Sequence, residues 1–239
     1  GGRLELTGGI TVPAKTLNLA GVGYTSLTPP SNVQTGNGAL RSLAGNNTWA
    51  GPVNLTASAT VQVDAGSLNL AGGVVGSSGG TLSVSNTGSG ALAVKHLRLD
   101  GAVAFANAGS ALTVTADGTS VGTSKVAGII FTGTYAAPTS LLDVVNNRIV
   151  IAGAASQLAD YRAAAAAFLN SGETVGLGAS QGGGSGRAAH AVLAIRPNAL
   201  FGFPDYTTFG GQPVAANDLL GMYTYRGDVD FNGLLDARD

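Results

Sequence analysis

Short runs of alternating apolar and polar residues recur along the first two thirds of the chain. Gly, Asn, Asp and Ser separate these runs, and these residues favour turn conformations. A period of two indicates short β-strands with one buried face, whereas Gly and β-branched residues are costly inside a helix. The clearest runs are residues 16–19, 53–55, 61–63, 68–70, 82–84, 97–99, 103–105 and 112–114.

The spacing of these runs fits two architectures, a β-sandwich and a β-solenoid. We favour a solenoid over residues 1–152, because the strands are very short and small residues occupy the corners between them. Similar units also recur, since residues 67–73 echo residues 16–21. A coil of about 20–25 residues with a rise of roughly 4.8 Å predicts about six or seven coils.

The chain changes character after residue 152. Residues 155–169 are rich in Ala and are followed by Asn170, Ser171 and Gly172, which predicts one helix with a defined end. A Gly-rich loop and two further apolar runs follow, at residues 181–186, 191–195 and 219–225. We expect residues 153–225 to form a small α/β cap that closes the end of the solenoid.

The last twelve residues have the spacing of an EF-hand calcium loop. Oxygen-bearing side chains fall at loop positions 1, 3, 5, 9 and 12, and Gly233 stands at position 6. The alternative is an acidic tail, but the chain has only 13 acidic residues, so this match is improbable by chance. The sequence therefore predicts a calcium site in residues 226–239. Its ligands are Asp228, Asp230, Asn232, the Leu234 carbonyl, Asp236 and Asp239.

Two parts of the sequence resemble known families of secreted bacterial proteins. The loop and residues 223–227 before it resemble the dockerin type I repeat, which implies the same calcium ligands. Dockerins carry two such loops with helices, whereas this sequence supplies a single truncated loop, so no cohesin-docking surface is expected.

Residues 38–51 and 65–73 resemble the autotransporter-associated β-strand repeat, which implies a right-handed β-helix in a surface or secreted protein. Segments farther along the chain are similar to the C-terminal regions of such proteins in planctomycete-type bacteria. They are residues 124–128, 141–151 and 209–213.

Composition narrows the range of functions. The chain has 239 residues, of which 10% are charged, and its net charge is −1. A basic field for nucleic acid is therefore not expected. The lack of cysteine excludes disulfides and thiolate metal sites. No stretch has the roughly 20 apolar residues of a membrane-spanning helix. The N-terminus shows no signal peptide, so we interpret the sequence as a mature or trimmed exported chain.

These observations predict a non-enzymatic extracellular protein with a structural or adhesive role at the cell surface. One form of this prediction is a self-assembling filament or homo-oligomer whose first coil stacks on a neighbour. Two alternatives stay open, and both involve polysaccharides. A carbohydrate-binding module would need exposed aromatics, for which Trp49, Tyr24, Tyr206 and Phe209 are candidates. A β-helix enzyme would need clustered groups drawn from Asp64, Asp100, Asp117 and His96, of which His96 is expected to face solvent.

Overall fold

Strands dominate the computed structural model, which describes residues 2–24, 37–180, 191–200 and 203–225, together with residues 228 and 231. Strands account for 47% of the described residues, and the main sheet is curled. The predicted mainly β class is confirmed. The strands are β1 (Leu4–Thr7), β2 (Thr11–Val12), β3 (Leu17–Gly21), β4 (Leu40–Ala44), β5 (Asn46–Trp49), β6 (Val53–Val63), β7 (Ser67–Leu70), β8 (Val74–Gly76), β9 (Leu82–Asn86), β10 (Ala91–Val94), β11 (Leu97–Leu99), β12 (Ala102–Phe105), β13 (Ala111–Val114), β14 (Ser124–Val126), β15 (Gly128–Ile130), β16 (Leu141–Asp143), β17 (Arg148–Ile151), β18 (Gly176–Gly178), β19 (Ala191–Pro197), β20 (Ala199–Leu200), β21 (Phe203–Pro204), β22 (Thr208–Phe209), β23 (Gln212–Pro213) and β24 (Leu219–Tyr225).

The first eighteen strands pair in parallel and form three stacks. The first stack contains β1, β4, the end of β6, β9, β12 and β15. The second contains β2, β5, β7, β10, β13, β16 and β18. The third contains β3, the start of β6, β8, β11, β14 and β17. From β7 to β17 the chain visits the second, third and first stacks in that fixed order.

The long strand β6 differs from the sequence prediction. Residues 53–55 and 61–63 were expected as two strands, but they are the two ends of one 11-residue strand. Its start pairs with β8 and its end pairs with β9. One strand therefore joins the first and third stacks into a single 13-stranded sheet, while the second stack is a separate sheet of seven strands.

Aliphatic side chains on the inner faces of the three stacks form one continuous core. In the second stack five leucines from successive strands pair in register, and each is almost completely buried. They are Leu68, Leu92, Leu112, Leu142 and Leu177. Burying such a side chain contributes roughly 1.5–3 kcal/mol, so this ladder accounts for much of the cohesion between strands.

Glycine is abundant because the corners of successive strands approach one another closely. A Cβ atom on Gly72 would lie 2.1 Å from the carbonyl carbon of Gly51, and one on Gly51 would lie 2.1 Å from the Lys15 carbonyl oxygen. A larger residue would push these backbones apart. This close packing of backbone explains part of the count of 38 glycines.

The residues after β17 cover one end of the stacks. The predicted helix is confirmed as α1 (Leu158–Asn170), preceded by a 3-10 turn at Ala155–Gln157. The helix packs against β18, and a Cβ on Gly178 would lie 2.1 Å from the Phe168 ring. Strand β24 pairs with β17 in the antiparallel direction, and β19 pairs with β24. The three proposed regions 1–152, 153–225 and 226–239 stay predictions.

Two tyrosine hydroxyls form hydrogen bonds with the edge of β15 that faces away from β12. Tyr161 Oη accepts a hydrogen bond from the Ile129 N–H at 3.1 Å, and Tyr135 Oη donates to the Ile129 carbonyl at 2.8 Å. At the opposite end, β1, β2 and β3 each pair on one side only among the described strands. The two ends of the stacks therefore differ in how their backbone edges are covered. None of the helices described is long and apolar enough to cross a membrane.

Candidate functional site

Most of the predicted calcium loop lies outside the described residues. Asp230, Asn232, Leu234, Asp236 and Asp239 belong to that undescribed part. Asp228 is described and is 4% exposed, and its Oδ2 accepts a short hydrogen bond from the Thr224 hydroxyl. An ionised carboxylate offers about four lone-pair positions, so this bond is compatible with a role in cation binding.

The loop is attached to the cap through Phe231, its fourth residue. Phe231 is 8% exposed and belongs to a small apolar cluster with Val150, Phe209, Leu220 and Met222. The Arg196 guanidinium lies 5.3 Å from the centre of the Phe231 ring. The start of the predicted calcium loop is therefore packed against the outer face of β17 and β24. Within the described part of the chain, no group of three or more Asp, Glu or His residues is arranged to hold a metal ion.

The acidic residues considered for catalysis lie apart from one another. Asp64 follows β6 and binds the Arg41 guanidinium at 2.6 Å. Burial would raise the pKa of Asp64, but hydrogen bonds from Gln62, Arg41 and Thr87 outweigh it and lower that pKa. Asp100 is exposed at the corner after β11. Asp117 lies in the loop after β13, where hydrogen bonding by the Thr119 hydroxyl lowers its pKa. These residues form no pair of facing carboxylates.

The prediction that His96 faces solvent is wrong. His96 lies at the corner between β10 and β11 and is 8% exposed. Its ring occupies the space above Gly73, where a Cβ would lie 2.5 Å from Nε2. Burial, and then the charges of Arg98 and Lys95, lower the pKa of His96 to about 4, against weaker opposite effects of the Val121 carbonyl and Asp117. His96 is therefore a neutral packing residue at neutral pH.

Four cationic side chains lie around the loop of residues 117–123, and the sequence analysis missed this group. We call Lys95, Arg98, Lys125 and Arg148 the basic ledge. Arg98 donates to the carbonyls of Ser120 and Val121, each at 3.1 Å, and Arg148 donates to the Gly118 carbonyl at 3.3 Å. Lys125 donates to the Pro213 carbonyl at 2.6 Å.

The signal for the ledge was the outward position of Arg98, Lys125 and Arg148 within short strands, with Lys95 in the bend before β11. Arg98 lies between two buried leucines, Lys125 lies between two buried residues of β14, and the two are paired in register. Sequence alone did not show that they were neighbours, because the loop between β13 and β14 is longer than the other corners that lead from the second stack to the third. Without the register of these two strands, the cations cannot be distinguished from scattered surface residues.

The aromatic residues considered for sugar binding do not form a common platform. Trp49 is 8% exposed, and its Nε1 donates to the Lys15 carbonyl at 2.9 Å. Phe209 is 5% exposed and packs in the cap, with Tyr206 beside it at 6.0 Å between ring centres. Tyr24 is exposed and follows β3, in the first turn of the stacks. A flat aromatic surface for neutral sugars is thus not assembled from these four residues.

One buried carboxylate fixes the segment that follows β18. Asp143 accepts hydrogen bonds from the backbone N–H groups of Val145 and Ser180, and from the Ser180 hydroxyl. Val145 has a φ of 55°, a conformation that β-branched residues rarely adopt. Two of these bonds are to backbone amides, one in the turn after β16 and one in the segment after β18. Asp143 therefore anchors both segments.

No protein-family model, no curated protein and no solved structure matches this chain. The resemblances to dockerin and to the autotransporter-associated repeat therefore stay predictions.

Proposed function

We propose that this chain is a non-enzymatic structural or adhesive protein of the extracellular surface, built as a right-handed β-helix with a C-terminal cap and a calcium loop. The observation that supports it best is the fixed cycle of parallel strands through three stacks around one aliphatic core. Such an arrangement provides long outer faces and a repeating backbone edge. Asp64 and Asp100, by contrast, lie at separate corners, and the Asp117 carboxylate near His96 is hydrogen-bonded by the Thr119 hydroxyl, which favours a scaffold over an enzyme.

One edge of β1 has no partner among the described strands, and this supports an assembly role. The Leu4 N–H donates to the Ala39 carbonyl of the neighbouring turn, so the next amide, that of Glu5, points to the opposite side of the strand. Leu4, Leu17 and Leu19 line an open groove beside this edge. Unpaired strand edges with apolar side chains are templates for pairing with another chain.

The covered opposite end favours pairs of molecules over long fibres. Helix α1, strand β24 and the hydroxyls of Tyr135 and Tyr161 lie where a further turn of strands would have to dock. A filament grown head to tail needs a free edge on all three stacks at that end, and there only β19, which pairs with β24 alone among the described strands, offers one. We therefore propose that two copies associate through their β1–β3 edges, with adhesion carried by the outer faces.

Light scattering and electron microscopy over a range of concentrations test this proposal. We expect particles of twice the monomer mass, formed reversibly. Glu5→Pro removes the outward amide and should weaken pairing by about tenfold or more, because proline cannot donate at a strand edge. Glu5→Ala is the matched control, since it loses the same ion pairs with Arg3 and Arg41 but keeps the amide.

Monomers at every concentration would overturn the proposed association. Fibres that lengthen with time would overturn the blocking role of the cap and favour the filament form. Repeating the measurement with EDTA distinguishes an effect of the C-terminal loop from an effect of the β1 edge. Calcium is expected to bind at the loop and not at the β1 edge.

A further inference from the structure

We propose that the basic ledge binds a linear polysaccharide that carries carboxylate or sulfate groups. This inference deepens the proposed adhesive function and rests on it, because it names the ligand class and the face that holds it. The ledge lies on the outer face of the third stack, away from the β1 edge that is proposed for pairing.

The ledge is a concentration of positive charge in a chain that has little charge of any kind. Four of the 12 Lys and Arg residues lie there, although charged residues are only 10% of the sequence. The ion pairs formed by described residues involve Arg3, Arg41 and Arg196 but no member of the ledge. Asp117 is the acidic residue beside it, and Lys95 is close enough to lower the pKa of that carboxyl. The ledge therefore keeps a net positive charge.

The cations are held in position before any ligand arrives. Arg98, Arg148 and Lys125 each donate to backbone carbonyls, as described above, and none of the four ledge side chains is more than partly exposed. Fixing long side chains in advance reduces the entropy lost on binding. Arg98 and Lys125 are in-register neighbours on parallel strands, so their outward side chains are about 4.8 Å apart along the stack.

The row that contains the cations continues, beyond the apolar Val75, with two neutral amides. Asn18, Asn54 and Val75 precede Arg98 and Lys125 at the same outward register position. The amide of Asn54 donates to Asn18 at 3.0 Å, and this pair lies at the exposed surface. A face with amides at one end and cations at the other suits a chain of sugars that has hydroxyls along its length and anionic groups at intervals. Nucleic acid, with a phosphate on every unit, would meet cations over only part of this row.

Binding of polysaccharide probes to the full chain tests the inference. The probes are heparin as a sulfated chain, polygalacturonate as a carboxylated chain, dextran as a neutral chain and a single-stranded DNA of similar charge. Isothermal titration calorimetry at low and high sodium chloride measures affinity and its electrostatic part. We expect binding to one or both anionic polysaccharides, weakening at high salt, and no binding to dextran.

Two sets of variants locate the binding to the ledge. Arg98→Gln combined with Lys125→Gln should weaken binding by about tenfold, while Lys95→Gln alone should weaken it by roughly two- to fivefold. Lys95 has no hydrogen bond to the loop among the described residues, so its substitution tests the charge without disturbing the fold. Lys15→Gln combined with Arg162→Gln removes the same total charge elsewhere and should leave affinity unchanged.

Three outcomes would contradict the inference. They are no binding to either anionic polysaccharide at low salt, equal loss of affinity in the control double variant, and tighter binding to DNA than to the sugars. A negative result here is distinguishable from failure of the proposed pairing, because particle mass reports on the β1 edge and does not depend on the ledge.

Discussion

The phenol oxygen of Tyr161 lies 3.1 Å from the backbone nitrogen of Ile129 and accepts its hydrogen bond. Burial raises the pKa of this hydroxyl, so it stays protonated. In a stack of parallel strands this amide would pair with the next strand, and here a side chain from α1 replaces that strand. The first stack therefore ends on hydrogen bonds from side chains, which keep the edge of β15 from pairing with other chains.

Replacing Tyr161 with phenylalanine should destabilise the protein by about 1–3 kcal/mol. The ring still fits, but the Ile129 amide loses its acceptor in a buried position. Urea unfolding of Tyr161→Phe and of the exposed Tyr24→Phe checks this, with the second variant expected to be within about 0.5 kcal/mol of wild type. Equal stability of the two variants would show that the Tyr161 hydroxyl has no capping role.

The inner leucine ladder predicts a sharp difference between neighbouring residues. Leu112 is fully buried within the stacks, whereas Thr113, the next residue, points outward. Leu112→Ala should cost about 2–5 kcal/mol through lost burial and a residual cavity. Thr113→Ala should change the unfolding free energy by less than about 0.5 kcal/mol. Similar costs at the two positions in denaturant unfolding would contradict the assigned faces of β13.

Stability should fall as the pH drops from about 6.5 to about 4. The pKa of His96 is lowered from 6.5 in the unfolded chain to about 4 in the folded one, so the unfolded state binds more protons in this window. The loss amounts to roughly 3 kcal/mol at most, at about 1.4 kcal/mol per pKa unit. The groups that face His96 are Lys95, Arg98 and Asp117. Above pH 6.5 the contribution of His96 to stability no longer changes with pH.

His96→Gln should flatten the pH dependence between pH 6.5 and 4. His190→Gln, which removes the other histidine of the chain, is the control and should leave the dependence in place. The pKa of Asp64 is lowered from 3.8, so its contribution is lost only at more acidic pH. An unchanged slope in His96→Gln would show that His96 is not the group responsible.

The alternation of apolar and polar residues was sufficient to predict most of the short strands. Residues 68–70, 82–84, 97–99, 103–105 and 112–114 all lie in strands. In each run the first and third residues face the core. The pattern is reliable here because each strand is buried on one face only. The Ala-rich helix was predictable for a similar reason, since no other segment combines high helix propensity with a Gly stop.

The position of each strand among the stacks was not predictable from local sequence. Residues 67–70 and 17–21 have similar sequences, but the first segment lies in the second stack and the second lies in the third. Which stack a strand joins depends on the length of every corner that precedes it. The burial of His96 and the contact between Tyr161 and Ile129 were missed for the same reason, because partners far apart in sequence create both.

Calcium should stabilise the protein if the proposed loop binds it. At a calcium concentration ten times the dissociation constant, the unfolding free energy should rise by about 1.4 kcal/mol. Thermal unfolding with calcium and with EDTA, together with calorimetric titration, measures this effect. Asp230→Asn should abolish the calcium-dependent shift, while Asp100→Asn, outside the loop, should retain it. If the unchanged protein shows no shift in thermal unfolding and no heat of binding, the proposed calcium loop is contradicted.

Cysteine cross-linking tests the central claim, that successive turns of the chain stack in parallel and in register. The chain contains no cysteine, so introduced pairs report without interference. Ala93 and Thr113 are register partners on β10 and β13. Ala93→Cys with Thr113→Cys should therefore oxidise rapidly to an intramolecular disulfide. Ala93→Cys with Ala111→Cys should not, because those Cα atoms are about 8 Å apart, beyond the roughly 7 Å that a disulfide spans. Faster oxidation of the 93–111 pair, or none in the 93–113 pair, would contradict the stacked arrangement.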